Sequence, residues 1–193
     1  MIKPARFNIY LCAALALVLA AGCQSSKSQD DKAGKDSTET KETKQEKKEV
    51  STVSLHMEAD PDGISDVVPV SIYRSAPIQV SMTKEPFLDS RDLEEAKLID
   101  EPGGLFSIRL RFNWEGAAIL DSFTSSNPGR RIGVYGDFKD KRWLASPVIH
   151  QRISDGIMTF TPDATREEAE RIVRGLNNVA KEVKNGEKNE SKF

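Results

Sequence analysis

The chain has 193 residues, of which 38% are hydrophobic, and its 28 basic and 30 acidic residues give a net charge of −2. This length predicts one folded domain with appendages, and the balanced charge excludes the strong positive field on which nucleic-acid binding depends. Both cysteines, Cys12 and Cys23, lie near the N-terminus. The rest of the chain therefore has no disulfide available, and burial of a core must stabilise it.

Residues 1–22 have the features of a bacterial lipoprotein signal peptide. Lys3 and Arg6 precede an apolar run from Phe7 to Ala21, which is shorter than the roughly 20 residues that span a bilayer comfortably. The run ends in Leu19-Ala20-Ala21-Gly22-Cys23, which resembles the lipobox of bacterial lipoproteins. This resemblance implies cleavage before Cys23 and a diacylglycerol thioether on its sulfur. An uncleaved signal anchor that contains a cysteine is the alternative.

The lipid on Cys23 implies a membrane partner and a location in the cell envelope. One acyl chain binds membranes only marginally, whereas the two or three chains of a mature lipoprotein anchor it stably. Gln24 follows the cysteine. In Gram-negative bacteria, the sorting rule retains a lipoprotein at the inner membrane when aspartate occupies that position. We therefore expect anchoring on the extracytoplasmic side, with the outer membrane favoured over the inner if the envelope is Gram-negative.

A polar linker and a polar tail flank the predicted domain. Gln24–Glu49 contains seven Lys and seven Asp or Glu residues, with Ala33 as its only apolar side chain. Such a composition buries too little surface to offset the entropy of ordering. We predict a disordered linker over 23–49, with a charged helix over 38–49 as the alternative, a folded domain over 50–184 and a disordered tail over 185–193.

Periodicity predicts strands in the first part of the domain and an antiparallel pair after them. The alternation over Phe106–Phe112 indicates a half-buried strand, and the turn Glu101–Gly104 allows Ala96–Asp100 to pair with it. A short helical turn is predicted over Ser90–Ala96. The other predicted strands are Val53–Met57, Val67–Tyr73, Ile78–Met82, Arg131–Tyr135, Trp143–Ile149 and Ile157–Phe160.

Two helices complete the predicted fold. Asn113 can cap a helix over Trp114–Thr124, whose Ala117, Leu120 and Phe123 are expected to face inward. Thr165 and Glu168 form a capping box for the last helix. Its apolar face includes Leu176, whereas Asn177 beside it is expected to contribute little. The predicted class is α+β, with one mixed, largely antiparallel sheet and two main helices packed on one face.

Six short motifs, in order, resemble the periplasmic head subdomain of SecD and SecDF, the export-motor subunits of the bacterial translocon. They cover residues 87–183, about half of the chain. The motifs are Phe87-Leu88-Asp89-Ser90-Arg91-Asp92-Leu93, Trp114-Glu115-Gly116-Ala117, Asn127 with Gly129 and Arg130, Ala145-Ser146-Pro147-Val148-Ile149, Ile153-Ser154-Asp155-Gly156, and Thr165-Arg166-Glu167-Glu168-Ala169. The resemblance implies a fold and a surface that binds a peptide or protein. It does not carry over the proton-coupled motor, which belongs to that family's membrane spans.

The sequence predicts no catalytic, cofactor or metal site. The two histidines, His56 and His150, have no partner at ligand spacing, and no nucleophile elbow, phosphate loop or dinucleotide motif is present. The candidate partner surface consists of four arginines, with a solvated sheet face paired to carboxylates as the alternative. These arginines are Arg109, Arg111, Arg142 and Arg152.

Two functions therefore remain open at the level of sequence. One is a non-enzymatic, membrane-anchored module that binds or scaffolds an envelope protein or an exported polypeptide. The other is an envelope enzyme whose site combines distant Asp, Glu and Arg residues. A deep pocket with carboxylates of perturbed pKa would favour the enzyme, and a shallow exposed groove would favour the binding module.

Overall fold

The computed structural model describes residues 48–63 and 66–190. The predicted signal peptide, Cys23 and the linker up to residue 47 lie outside the described residues. The strands are β1 (Thr52–Met57), β2 (Val67–Ile72), β3 (Ile78–Thr83), β4 (Leu88–Asp89), β5 (Leu93–Asp100), β6 (Phe106–Phe112), β7 (Ile132–Asp137), β8 (Arg142–Ala145) and β9 (Ile157–Phe160). The helices are α1 (Trp114–Ser126) and α2 (Arg166–Glu190), with a 3₁₀ turn at Pro102–Gly104.

The strands form three antiparallel sheets. One has the order β4-β1-β7-β8, a second is the β2–β3 hairpin, and a third has the order β5-β6-β9. The α+β class, the antiparallel pairing and the two helices are confirmed, but the strands divide among three sheets where one was expected. Alternating strands give each sheet a single apolar face, and here the two larger sheets bury those faces in a shared core.

The main core takes side chains from both larger sheets and both helices. Leu55 and Val134 come from the four-stranded sheet, Ile108 from the three-stranded sheet, and Leu120 and Leu176 from the helices; each is at most 1% exposed. Within the described residues, neither helix is long and apolar enough to cross a membrane.

The segment predicted as a helical turn over Ser90–Ala96 is instead a tight turn followed by β5. Leu93 and Ala96 are both buried, and a register shift between Leu93 and Glu95 marks a β-bulge. The extra residue of a bulge places two inward-facing side chains three positions apart. That spacing imitates the helical period, which explains why the prediction was wrong.

Helix α1 begins as predicted but orients one side chain differently. The Asn113 side chain accepts a hydrogen bond from the Gly116 amide at 2.8 Å, which confirms the cap. Leu120 is fully buried, whereas Phe123 is 36% exposed. Thr124 occupies the buried position next to it and donates to the Leu120 carbonyl at 2.8 Å. Phe123 therefore lies at the edge of the core rather than inside it.

Helix α2 has the predicted capping box and a close contact with the start of the domain. The Glu168 amide donates to Thr165 Oγ1 at 3.2 Å, and the Thr165 amide donates to Glu168 Oε2 at 2.9 Å. A side chain at Gly175 would place its Cβ 2.7 Å from the Cβ of Ser51. The helix extends to Glu190, past residue 184, where the sequence analysis ended the domain.

Candidate functional site

Two partly exposed phenylalanines form the apolar centre of a groove between α1 and the segment that joins β3 to β4. The rings of Phe87 and Phe123 stack with centroids 4.4 Å apart and planes at 18°. The groove encloses about 350 Å³ and is lined by these rings and by Met57, Pro86, Asp66 and Glu85. Aromatic surface left open beside a core is typical of a place where another apolar group can pack.

The elements that carry the two rings are held in place by a backbone hydrogen bond and by core packing. The Phe87 amide donates to the Leu55 carbonyl at 2.9 Å, which attaches the segment before β4 to β1. Phe123 is placed by α1, whose position depends on the buried Leu120. Phe87 belongs to one of the family motifs, and Phe123 was predicted as a core residue. Their pairing was not predicted, because no local pattern joins residues on separate elements.

The rim of the groove is polar and carries more acidic than basic charge. Lys84 and Asp66 form an ion pair at 2.6 Å. Within the described part of the chain, the Glu85 carboxylate has no ion-pair partner. A groove with an apolar centre and an unpaired carboxylate at its rim suits an apolar side chain that is followed or preceded by a cationic one.

The four arginines of the candidate partner surface lie on different elements. Arg109 and Arg111 share the exposed face of β6, and Arg111 pairs with Glu94 at 3.2 Å. Arg142 begins β8, and Arg152, which follows β8, pairs with Asp121 of α1. Three of the four therefore have carboxylate partners among the described residues.

Arg142 belongs to a network that attaches the β2–β3 hairpin to the start of α2. Its Nη2 donates to Glu168 Oε2 at 3.2 Å and to the Asp163 carbonyl at 3.0 Å. Arg74, next to the hairpin turn, donates through its backbone amide to Asp163 Oδ2 at 2.9 Å. The Thr165 amide first, and then the two arginines, hold the pKa of Glu168 below its usual value. This network is a structural clamp, since the two arginines bond to Asp163 and Glu168 from both sides. Arg142 Nε is buried without a hydrogen-bond partner among the described residues.

His56 is a buried structural residue. Its ring lies edge-on to Trp143, with centroids 5.1 Å apart, and its Nδ1 is 2.8 Å from the Thr83 carbonyl. Burial lowers its pKa. His150 lies exposed after Ile149. Among residues 48–63 and 66–190, no group of histidine, cysteine, aspartate and glutamate side chains is arranged to hold a metal ion.

Comparison with known proteins supports the predicted resemblance. The family described as the SecDF P1 head subdomain matches residues 66–180, so the match begins before residue 87 and includes the β2–β3 hairpin. Over 90 residues the chain is 31% identical to the protein translocase subunit SecD of Dictyoglomus turgidum, an alignment that covers 47% of this chain and 22% of that protein. The chain thus spans about a fifth of the length of this curated relative.

A solved structure shows the same fold. A structure of the membrane component SecDF, described as enhancing protein export, matches with a TM-score of 0.50 at 19% identity, over 67% of this chain and 63% of that one. SecDF in a super-membrane-facing form matches at 19% identity with a TM-score of 0.48, over 67% of this chain and 19% of that one. The matched residues, 66–180, include eight of the nine strands, all of α1 and most of α2. The chain belongs to the SecDF P1 head subdomain family.

Proposed function

We propose that this chain is a membrane-anchored lipoprotein of the cell envelope that binds an exported polypeptide without catalysing a reaction on it. Membership of the SecDF P1 head subdomain family supports a role related to protein export. The matched relative is a protein translocase subunit. A polypeptide in transit is unfolded and exposes apolar side chains, which is the chemistry that an open apolar groove binds.

The observation that carries this proposal is the groove formed by Phe87 and Phe123. Phe123 is 36% exposed although it stacks on a second ring. The groove is shallow and open, and aromatic side chains are among those that contribute most to binding energy at protein interfaces. An extended segment can place one apolar side chain against the rings while its backbone stays at the polar rim.

Anchoring through Cys23 would hold the groove near a membrane. The predicted linker joins Cys23 to the first described residues of the domain. At the end of that segment, Lys48 pairs with Glu182 at 2.7 Å and Arg174 donates to Glu49 at 2.9 Å. The domain is therefore attached along α2, and the groove, which α2 does not line, stays open to a partner.

The electrostatics of the described residues favour binding over acid–base chemistry. The Arg152 side chain lowers the pKa of Asp121. The pKa of Glu168 is lowered first by the Thr165 amide and then by the neighbouring arginines. Asp92 has a raised pKa, chiefly because of its partial burial and then because of the neighbouring Asp89. Asp89 pairs with Arg91 at 2.8 Å, and neither Asp89 nor Asp92 lines the groove of Phe87 and Phe123.

Photocrosslinking in intact cells tests the proposal. A photoreactive amino acid replaces Phe123 in the full chain, and the matched control replaces Trp114, which is 79% exposed on the same helix but does not line the groove. We expect adducts with a polypeptide arrested during export at position 123 and few at position 114. Equal labelling at both positions would contradict binding in the groove.

A further inference from the structure

A second cavity lies where the start of the folded domain crosses α2. It encloses about 230 Å³ and shares no lining residue with the groove of Phe87 and Phe123. Its apolar wall consists of Phe138, Ile172 and Val50, and Val50 is 60% exposed. Ser51, which is buried, also lines the cavity and packs on Gly175. The volume suits one or two side chains of a ligand.

Three carboxylates line this cavity, and each has an arginine partner. Glu49 accepts from Arg174 at 2.9 Å. Glu168 accepts from Arg142 at 3.2 Å, and Asp140 is 3.6 Å from another nitrogen of Arg142. Arg142 is shared between Glu168 and Asp140, and Glu168 is also 3.5 Å from Arg74, so the arginines offset most of the negative charge at the cavity.

The two cationic residues that line the cavity have no such partners. Lys139 and Arg171 both line the cavity and are exposed. Within residues 48–63 and 66–190, neither side chain has an ion-pair or hydrogen-bond partner. The cavity thus combines an apolar wall with two available cations, and the free charge that it presents is positive. Charge complementarity requires an anionic ligand with an apolar group next to the charge.

We propose that this cavity binds the C-terminal carboxylate of a polypeptide whose last residue is apolar. In such a terminus the carboxylate and the apolar side chain leave the same Cα, so one residue can reach the cations and the apolar wall together. Lys139 and Arg171 would hold the carboxylate through charge-assisted hydrogen bonds, and the last side chain would pack against Phe138 and Ile172. The volume of the cavity matches one such residue and not the paired acyl chains of a phospholipid.

The test measures peptide binding to the full-length, detergent-solubilised chain by calorimetry. The probe is N-acetyl-Ala-Ala-Leu with a free carboxylate, and its comparison is the same peptide with a C-terminal amide. We expect the acid to bind at least about tenfold more tightly than the amide. Lys139→Ala and Arg171→Ala should each weaken binding of the acid about tenfold, and Arg171→Lys should restore part of it.

Two controls separate this cavity from other sites. Lys181→Ala removes an exposed cation of α2 outside the cavity and should leave the affinity unchanged. Trp114→Ala removes an exposed ring that lines neither the cavity nor the groove and should also leave it unchanged. Because the residues that line the groove of Phe87 and Phe123 include acidic and no basic side chains, a preference for the acid over the amide is independent of the function proposed for that groove. Equal binding of acid and amide, loss of binding with Lys181→Ala, or equal competition by inorganic phosphate would each overturn the proposal.

Discussion

The side-chain amide of Asn177 is bonded to both backbone polar groups of Ala96. The Ala96 amide donates to Asn177 Oδ1 and Asn177 Nδ2 donates to the Ala96 carbonyl, each at 2.9 Å. Ala96 lies in β5, an edge of the three-stranded sheet, and a free edge is a template for another strand. Helix α2 therefore covers this edge with Asn177 while the preceding residue, Leu176, enters the core. These two bonds replace the expectation that Asn177 contributes little with the prediction that it stabilises this edge.

Substitutions at these neighbouring positions should both destabilise the domain, for different reasons. Leu176→Ala leaves a cavity in the core and should lower the free energy of unfolding by about 2–5 kcal/mol. Asn177→Ala leaves two backbone groups without their partner and should cost about 1–3 kcal/mol. Lys181→Ala, on the exposed side of α2, is the matched control. Denaturant unfolding measures all three, and an Asn177→Ala variant as stable as the control would contradict the edge contact.

The clamp between the hairpin and α2 predicts a pH-dependent stability. The pKa of Glu168 is held below the ordinary value of 4.5, first by the Thr165 amide. Because the folded state favours the charged form, the stabilisation is fully present above pH 4.5 and is lost as the pH falls through the lower, folded pKa. Glu168→Gln should therefore cost about 1.5–3 kcal/mol at pH 7 and much less below the folded pKa. A constant difference across this range of pH would contradict the assignment.

Asp92 predicts the opposite dependence of folding stability on pH. Its pKa is raised by burial and then by the charge of Asp89. Because the folded state disfavours the charged form, Asp92 weakens folding at neutral pH and does so less as the pH falls through its raised pKa. Asp92→Asn should raise the melting temperature at pH 7, with a smaller gain at pH 3. An Asp92→Asn variant that melts below the unsubstituted chain at pH 7 would show that the charged form is stabilised instead.

Sequence patterns predicted the elements that rest on local rules. The Asn113 cap, the Thr165–Glu168 capping box and the alternation of β6 were confirmed because each depends on residues close together in the chain. Sequence patterns could not predict the contacts between distant segments. The stack of Phe87 on Phe123 and the bond of Asn177 to Ala96 join separate elements, and a single sequence does not say which surfaces meet.

Anchoring through Cys23 remains a prediction, and one substitution tests it. Cys23→Ala removes the sulfur that would carry the lipid, so the chain should either fail to be processed or leave the membrane fraction. Cys12→Ala, within the predicted signal peptide, is the control and should change neither processing nor fractionation. Immunoblots of membrane and soluble fractions measure both effects. A Cys23→Ala variant that is cleaved and remains in the membrane like the unsubstituted chain would contradict lipidation.

Binding of an unfolded polypeptide at the groove is the central claim, and its affinity is the most direct test. The full-length chain is titrated with a fluorescently labelled, permanently unfolded secretory polypeptide, and the dissociation constant is compared among variants. Phe87→Ala and Phe123→Ala should each weaken binding about tenfold or more, because each removes an aromatic contact from the centre of the groove. Trp114→Ala, which removes a more exposed ring outside the groove, should leave the affinity unchanged. Equal affinities of all three variants and the unsubstituted chain would contradict the claim.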